Sequence, residues 1–195
     1  MLFRSNDMEM IVTTKRWLSS IFEMKDMGEA NYVLGVKIFR DHSKKFLGLS
    51  QETYIKMILE RFCMHNSKPI DTPIEKGYTL SLEDCPKSKK EKRVMARVPY
   101  ARAVESLMYA MLCTQPDICF AVGMVSRYQS NPGPFHWQAV KRIFRHLHGT
   151  SDLILCYQGG DLRLGGYFVA DWASDRDESK STIGNAVNHN YLLVQ

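Results

Sequence analysis

Cysteine is sparse in this sequence and badly spaced for cross-linking. There are five, Cys63, Cys85, Cys113, Cys119 and Cys156. The count is odd and no C-x-x-C pair occurs, which argues against a disulfide framework or a structural zinc site and for a reducing compartment. No apolar run approaches the roughly 20 residues needed to span a bilayer. The N-terminus lacks the basic region and apolar core of a leader peptide. The expectation is an intracellular protein, cytoplasmic or nuclear, with no membrane partner. No Walker-type phosphate loop and no dinucleotide fingerprint is present; "LGG" and "QGGD" read as turns. There is no internal repeat.

What is present is an ordinary globular balance. Over 195 residues, 45% are hydrophobic and 24% charged, enough for one domain or two small ones and against wholesale disorder. The net charge of +5 permits a polyanion partner without requiring one.

Periodicity predicts a mixed α+β chain. After a strand end at "MLF" and an N-cap at "SND", "MEMIVTTKRWLSSIF" reads as a helix. "ANYVLGVKIFRD", a turn at "HSKK" and "FLGLSQ" read as a β-hairpin. Alternation sets Tyr32, Leu34, Val36 and Ile38 on one face and Val33, Lys37 and Phe39 on the other. Gly35 and Gly48 suggest bulges or a close backbone approach. "ETYIKMILERF" is an amphipathic helix with Tyr54, Ile55, Ile58, Leu59 and Phe62 as its apolar stripe. Residues 65–97 carry Pro69, Pro73, Gly77 and Pro86 and read as a loop or linker. Its basic run "KSKKEKRVMAR" reads as a solvated, mobile face in preference to a binding tail.

Three helices follow, "YARAVESLMYAML", "DICFAVGMVSRYQSN" and "FHWQAVKRIFRHLHG", the last ending at Gly149, a good C-cap residue. Trp137, Val140, Phe144 and Leu147 form its buried stripe. His146 and His148, two apart, are poorly spaced as a metal pair and read as complements to the helix C-terminus. Cys113, Cys119 and Cys156 have apolar neighbours and read as small buried hydrophobes. "LILCYQGG", "LRLGGYFVADW" and "STIGNAV" read as short strands. The acidic groups Asp7, Glu9, Glu23, Asp26, Glu29 and Asp41 read as solvated charges. A sharper question is set by "GYFVADWASDRDESKST", where a strand opens into Asp171, Asp175, Asp177 and Glu178. These are either ligands for a nuclease metal pair or a polar turn.

Four stretches carry a resemblance: "FEMKDMGEANYVLGVKI", "LSQETYIKMILERFCMHNSKPIDTP", "VPYARAVESLMYAMLCTQPDICFAVGMVSRYQSNPGPFHWQAVKRIFRHLHGT" and "GYFVADWASDRDESKST". In this order, covering nearly the whole chain, they resemble the Pol polyprotein of copia-type LTR retrotransposons, including the TNT group. The resemblance implies a truncated reverse transcriptase palm end with a primer-grip-like hairpin, a helical thumb and connection, and the first strands of an RNase H-like fold. It implies boundaries at 1–75 for the palm end and start of the thumb, 76–98 for a linker, 99–150 for the helical thumb and connection, and 151–195 for an incomplete RNase H-like segment.

The family's Tyr-Val-Asp-Asp signature would precede Met1, and its partner aspartate lies further upstream. In the G-Y-x-D-A-D-W strand of the family the first aspartate carries metal; here that position is Val169. The spacing argues against Asp171 as a substitute. It shares a strand face with Val169 but lies about 6.6–6.8 Å along it, whereas carboxylate–Mg²⁺ contacts are about 2.0–2.1 Å. Asp175, Asp177 and Glu178 then read as a polar hairpin loop. The expectation is no catalytic residue, no metal site and no cofactor for this chain, the Mg²⁺ belonging to the parent family.

The resemblance also implies contacts to an RNA or DNA duplex, weak ones. Gly35 would let a backbone approach the hairpin and Lys37 would meet phosphate; an ordinary hairpin with a packing glycine is the alternative. "AVESLMYAM" resembles the thumb helix beside the minor groove, with Ser106 and Tyr109 as candidate contacts. Glu105 stands where the family has glycine and would repel phosphate. Lys141, Arg142 and Arg145 are candidate phosphate contacts, or simple solubility charges. The expected function is a catalytically incomplete reverse transcriptase/RNase H fragment with residual nucleic-acid binding. Alternatives are a subunit completed by a separate palm segment, or a repurposed interaction module. Apolar surface left without the palm predicts self-association.

Overall fold

The segment after Asp7 is helical because Asp7 caps it: its Oδ1 accepts from the N–H groups of Glu9 at 3.0 Å and Met10 at 3.2 Å. This helix, α1 (Met8–Ile21), ends where Phe22 turns extended. Our computed structural model describes residues 7–159, 165–171, 177, 182–188 and 191–194; the "MLF" strand reading lies outside them. The chain divides into two compact units, Met1–Asn31 and Tyr32–Gln195. In the first, the Lys15 ammonium meets Asp26 Oδ2 at 2.9 Å and ties the segment after α1 back to it. That bond and the Gly28 N–H hold Asp26 below the usual carboxylate range. Leu18 is buried, while Met8, Met10, Trp17, Ile21 and Phe22 are exposed.

The second unit opens with β1 (Tyr32–Val33), β2 (Val36–Asp41) and β3 (Phe46–Ser50), all antiparallel neighbours. The single strand expected through 32–39 is in fact two. Leu34 and Gly35 have φ of 49° and 80° and make a two-residue turn between Val33 and Val36. Positive φ at both central positions matches the right-handed twist of the strands, and glycine suits the second. Leu34 is therefore at a turn tip, not on the face of Val36. The next turn is closed by Asp41, whose Oδ1 accepts from the Ser43 and Lys44 N–H groups at 3.0 and 3.1 Å.

Helix α2 (Glu52–Arg61) follows and buries Ile55, Ile58 and Leu59, the centre of the expected stripe. Then come α3 (Lys89–Met95), α4 (Tyr100–Cys113), α5 (Cys119–Ser126) and α6 (Pro134–Gly149). The core lies between α2, α4, α5 and α6, around Ile58, Val104, Leu107, Val122, Ile143 and Phe144. Phe62 stacks on Phe144 at 5.0 Å. The buried Tyr100 hydroxyl donates to the Val125 carbonyl at 2.7 Å, which satisfies a polar tip in an apolar setting.

Residues 65–97 differ from a free loop in two ways. Leu80 is buried, and Ile74, Tyr78 and Cys85 pack against the core. The basic run is helical: the Ser88 hydroxyl accepts from Glu91 N–H at 3.2 Å while Glu91 accepts from Ser88 N–H at 3.1 Å, a reciprocal cap. Met95 anchors the end of that helix by burial.

Strand β4 (Ile154–Gln158) pairs with β3, and β7 (Tyr191–Val194) with β4, giving an antiparallel sheet in the order β1-β2-β3-β4-β7. Strands β5 (Gly165–Asp171) and β6 (Thr182–Asn188) form a separate hairpin. The fold class is α+β. No helix of the described residues is long and apolar enough to cross a membrane. Cys119 is exposed, not buried, because α5 turns that position outward; Cys113 and Cys156 are only partly covered.

Candidate nucleic-acid interface

The β1–β2 turn and α4 are joined. The Tyr109 hydroxyl, on α4, donates to the Leu34 carbonyl in a short hydrogen bond. The Tyr109 ring meets Tyr54 edge-on at 4.9 Å, and the Tyr54 hydroxyl donates to the Ser106 carbonyl at 3.1 Å. A Cβ built on Gly35 would lie 4.0 Å from the Tyr109 oxygen. Gly35 is thus required for its backbone conformation, and one neighbour already stands over it. The Ser106 hydroxyl donates to the Arg102 carbonyl at 2.8 Å and is buried. Lys37 is exposed, its ammonium 4.7 Å from the centre of the Phe39 ring, so the two share the face that strand alternation assigns them. Glu105 is exposed on α4.

The α6 cations divide. Arg142 pairs with Glu75 and donates to Thr72 Oγ1 at 3.2 Å. Arg145 Nε donates to the Lys68 carbonyl at 2.7 Å. Both guanidinium groups bind the 65–75 connection to α6. Lys141 is half-buried and makes no ion pair among the described residues.

The histidines of α6 do not merely face the helix end. His146 Nε2 lies 2.7 Å from Asp117 Oδ2 and its Nδ1 lies 3.2 Å from the Ile70 carbonyl. His148 Nδ1 lies 2.7 Å from the Ser67 carbonyl. Burial opposes protonation of His146, but the Asp117 carboxylate and the backbone acceptors outweigh it and raise its pKa. Two acceptors on two ring nitrogens are best served by the imidazolium, which donates from both. At the other end of α6, Gly133 N–H donates to His136 Nδ1 at 2.8 Å, and burial pushes the His136 pKa down.

In β5 the backbone of Val169 pairs with Gly184 and that of Asp171 with Thr182. Asp177 is held by protein donors: Leu82 N–H at 2.9 and 3.0 Å from its two oxygens, and the Tyr128 hydroxyl at 3.0 Å. Its partner Leu82 opens the short 3-10 turn Leu82–Asp84, which Ser81 caps. Asp175 and Glu178 lie outside the described residues. Among the described residues no three Asp, Glu, His or Cys side chains gather as a metal site.

Sequence reasoning missed the cap of α3, although Ser88 and Glu91 carry its S-x-x-E signature. It also missed the Tyr128–Asp177 and His146–Asp117 contacts, which join segments 49 and 29 residues apart and leave no local pattern.

Residues 1–76 match the family model described as reverse transcriptase (RNA-dependent DNA polymerase). The chain is 50% identical, over 94% of its length, to the retrovirus-related Pol polyprotein from transposon TNT 1-94 of Nicotiana tabacum, and spans 14% of that polyprotein. It is 37% identical, over 95% of its length, to the Pol polyprotein from transposon RE1 of Arabidopsis thaliana, spanning 12% of it. An uncharacterised mitochondrial protein of Arabidopsis thaliana is 30% identical over 86% of the chain, which spans 66% of that protein. No solved structure matches the chain. Half of all positions identical across nearly every element just described, in a tobacco retrotransposon polyprotein, places the relationship beyond chance: the chain belongs to the copia-type retrotransposon Pol polyprotein family, with a reverse transcriptase segment over residues 1–76.

Proposed function

We propose that this chain serves as a nucleic-acid-contacting part of a copia-type reverse transcriptase and does not itself hold a catalytic metal pair. The identity to the TNT 1-94 polyprotein over 94% of the chain carries the reading. In it, β1–β3 form the palm-end hairpin that grips a primer, α4 to α6 the thumb and connection, and β5–β6 the opening of an RNase H-like fold. Lys37 offers an exposed cation on the hairpin. Tyr109, bonded to Leu34, holds the hairpin tip to α4, so that both elements present one surface to a duplex. Ser106 shapes that helix from within, and Arg142 and Arg145 position the 65–75 connection. Lys141 remains as a phosphate contact on α6. The protein donors around Asp177, and valine at 169, support a role without metal chemistry.

Fluorescence anisotropy with a labelled RNA–DNA hybrid tests binding; primer extension and hybrid cleavage in magnesium test the rest. Saturable, salt-sensitive binding without turnover is expected. Turnover by the purified chain alone would refute the reading.

A second reading is favoured by the exposed Met8, Met10, Trp17 and Ile21 of α1 and by the exposed Phe22 just after it. In it the chain is a subunit completed by a separate palm segment that covers these side chains. Mixing the two and measuring primer extension distinguishes the readings.

A further inference from the structure

The α6 guanidinium groups are engaged inside the protein, which leaves open where a duplex would find its counter-charge. Helix α3 answers that. Its seven residues are fixed at one end by the Ser88–Glu91 reciprocal cap and at the other by buried Met95. At about 100° per residue, Met95 sets the inward direction. Lys89, Arg93 and Lys90 then fall on the opposite side, and Lys92 beside them, within an arc of roughly 160°. The one acid of the helix, Glu91, lies outside that arc. Its carboxylate is occupied by the N–H groups of Ser88 and Lys87, which hold it below the usual carboxylate range. Lys89, Lys90, Lys92 and Arg93 are exposed and make no ion pair with the described residues. By contrast Lys15, Lys44, Lys56 and Arg142 all do.

We propose that the outward face of α3, Lys89, Lys90, Lys92 and Arg93, is a docking surface for the phosphate backbone of a nucleic-acid duplex. The inference rests on the nucleic-acid reading above and names where the phosphates lie. Seven residues rise about 10 Å, and a duplex presents one phosphate charge per about 1.7 Å of axis. The face therefore meets on the order of six phosphates with four cations. The cap matters because it orders these side chains' backbone before binding, so less freedom is lost on contact. An anionic membrane is a poorer match. Interfacial helices bury a broad apolar face, whereas here Met95 points inward and Val94 is the lone exposed apolar side chain of the helix.

The experiment uses the full chain. Lys89→Gln/Lys90→Gln/Lys92→Gln/Arg93→Gln is compared with the wild type for binding a mixed-sequence hybrid between 50 and 200 mM salt. Glutamine keeps helix propensity, and far-UV circular dichroism checks the fold. Each phosphate neutralised adds about 0.9 to the log–log salt slope on B-form DNA. The variant's slope is expected to fall by about 3 to 4, and its affinity loss across that range to be roughly 100-fold smaller. Lys89→Arg/Lys90→Arg/Lys92→Arg is expected to keep the wild-type slope. Equal slopes for wild type and glutamine variant would overturn the inference and leave the nucleic-acid reading standing. Failure of the wild type to bind any hybrid would overturn both. Tighter binding to phosphatidylserine vesicles than to hybrid would overturn the choice of partner.

Discussion

His146 on α6 holds Asp117 through a 2.7 Å contact, with the histidine side chain 7% exposed and the aspartate 28%. The raised His146 pKa makes this contact pH-dependent. The folded-state value lies above the ordinary 6.5, so the folded protein binds the proton more tightly than the unfolded chain. The contribution is complete below about pH 6.5 and is lost as pH rises through the folded value. His136 acts in the opposite sense: its depressed pKa makes a contribution that is present above about pH 6.5 and is lost as pH falls through the folded value. Urea midpoints measured from pH 5 to 9 should decline on the alkaline side in the wild type. In His146→Gln that decline should vanish, with about 1–3 kcal/mol less stability at pH 6.

Tyr109→Phe removes the hydroxyl that donates to Leu34 and leaves the ring against Tyr54. The turn then holds a leucine at positive φ without its tether. A loss of about 1 kcal/mol is expected. Hydrogen exchange at Val33 and Val36 should quicken while amides of α4 keep their protection.

Gly133 is intolerant of any side chain. A Cβ there would come within 1.9 Å of the Asp84 carbonyl oxygen, which is backbone and cannot swing aside. Gly133→Ala should destabilise by about 1–3 kcal/mol. An unchanged urea m-value would localise the effect to the native state.

Glu105 is the exposed acid on the helix proposed to face the duplex. Glu105→Gln removes its charge with little change in shape. Hybrid affinity should rise about 2- to 5-fold at 50 mM salt, with a smaller gain at 200 mM because screening shortens the reach of the charge. Equal affinities at both salts would show that this face meets no phosphate.

Asp177 accepts from Leu82 N–H and Tyr128 Oη. Tyr128→Phe/Asp177→Ala should lower the melting temperature, and the two losses should be sub-additive since the residues share a contact. Millimolar Mg²⁺ or EDTA should leave the wild-type melting temperature unchanged; a rise with Mg²⁺ would mean that the carboxylate is a ligand after all.

The helices of this chain other than α3 are legible in its sequence because their apolar residues recur at helical spacing; α3 has only Val94 and Met95 at its end and shows no such recurrence. Ile55, Ile58 and Leu59 on α2, and Val140, Phe144 and Leu147 on α6, are found buried where that spacing sets them. The hairpin register is legible as well, except at Leu34 and Gly35. There the alternation of apolar residues passes through a turn without a break, and only the backbone angles reveal it. Charge is the poorest guide. Nothing local distinguishes Arg142, bound to Glu75 and Thr72, from Lys89, which has no such partner; the difference is set by which segment folds over each. The candidate site was legible in its residue types and not in their availability. Ser106 and Tyr109 both point their hydroxyls at backbone carbonyls.

The connection after α2 has no regular structure from residue 65 to 75, yet α6 grips it four times, through Arg142, Arg145, His146 and His148. Its path is dictated by the helix it crosses rather than by its own covalent continuity. A break in one peptide bond there would leave the two pieces clasped together, so this stretch is a natural place for the chain to be opened and its ends rejoined elsewhere.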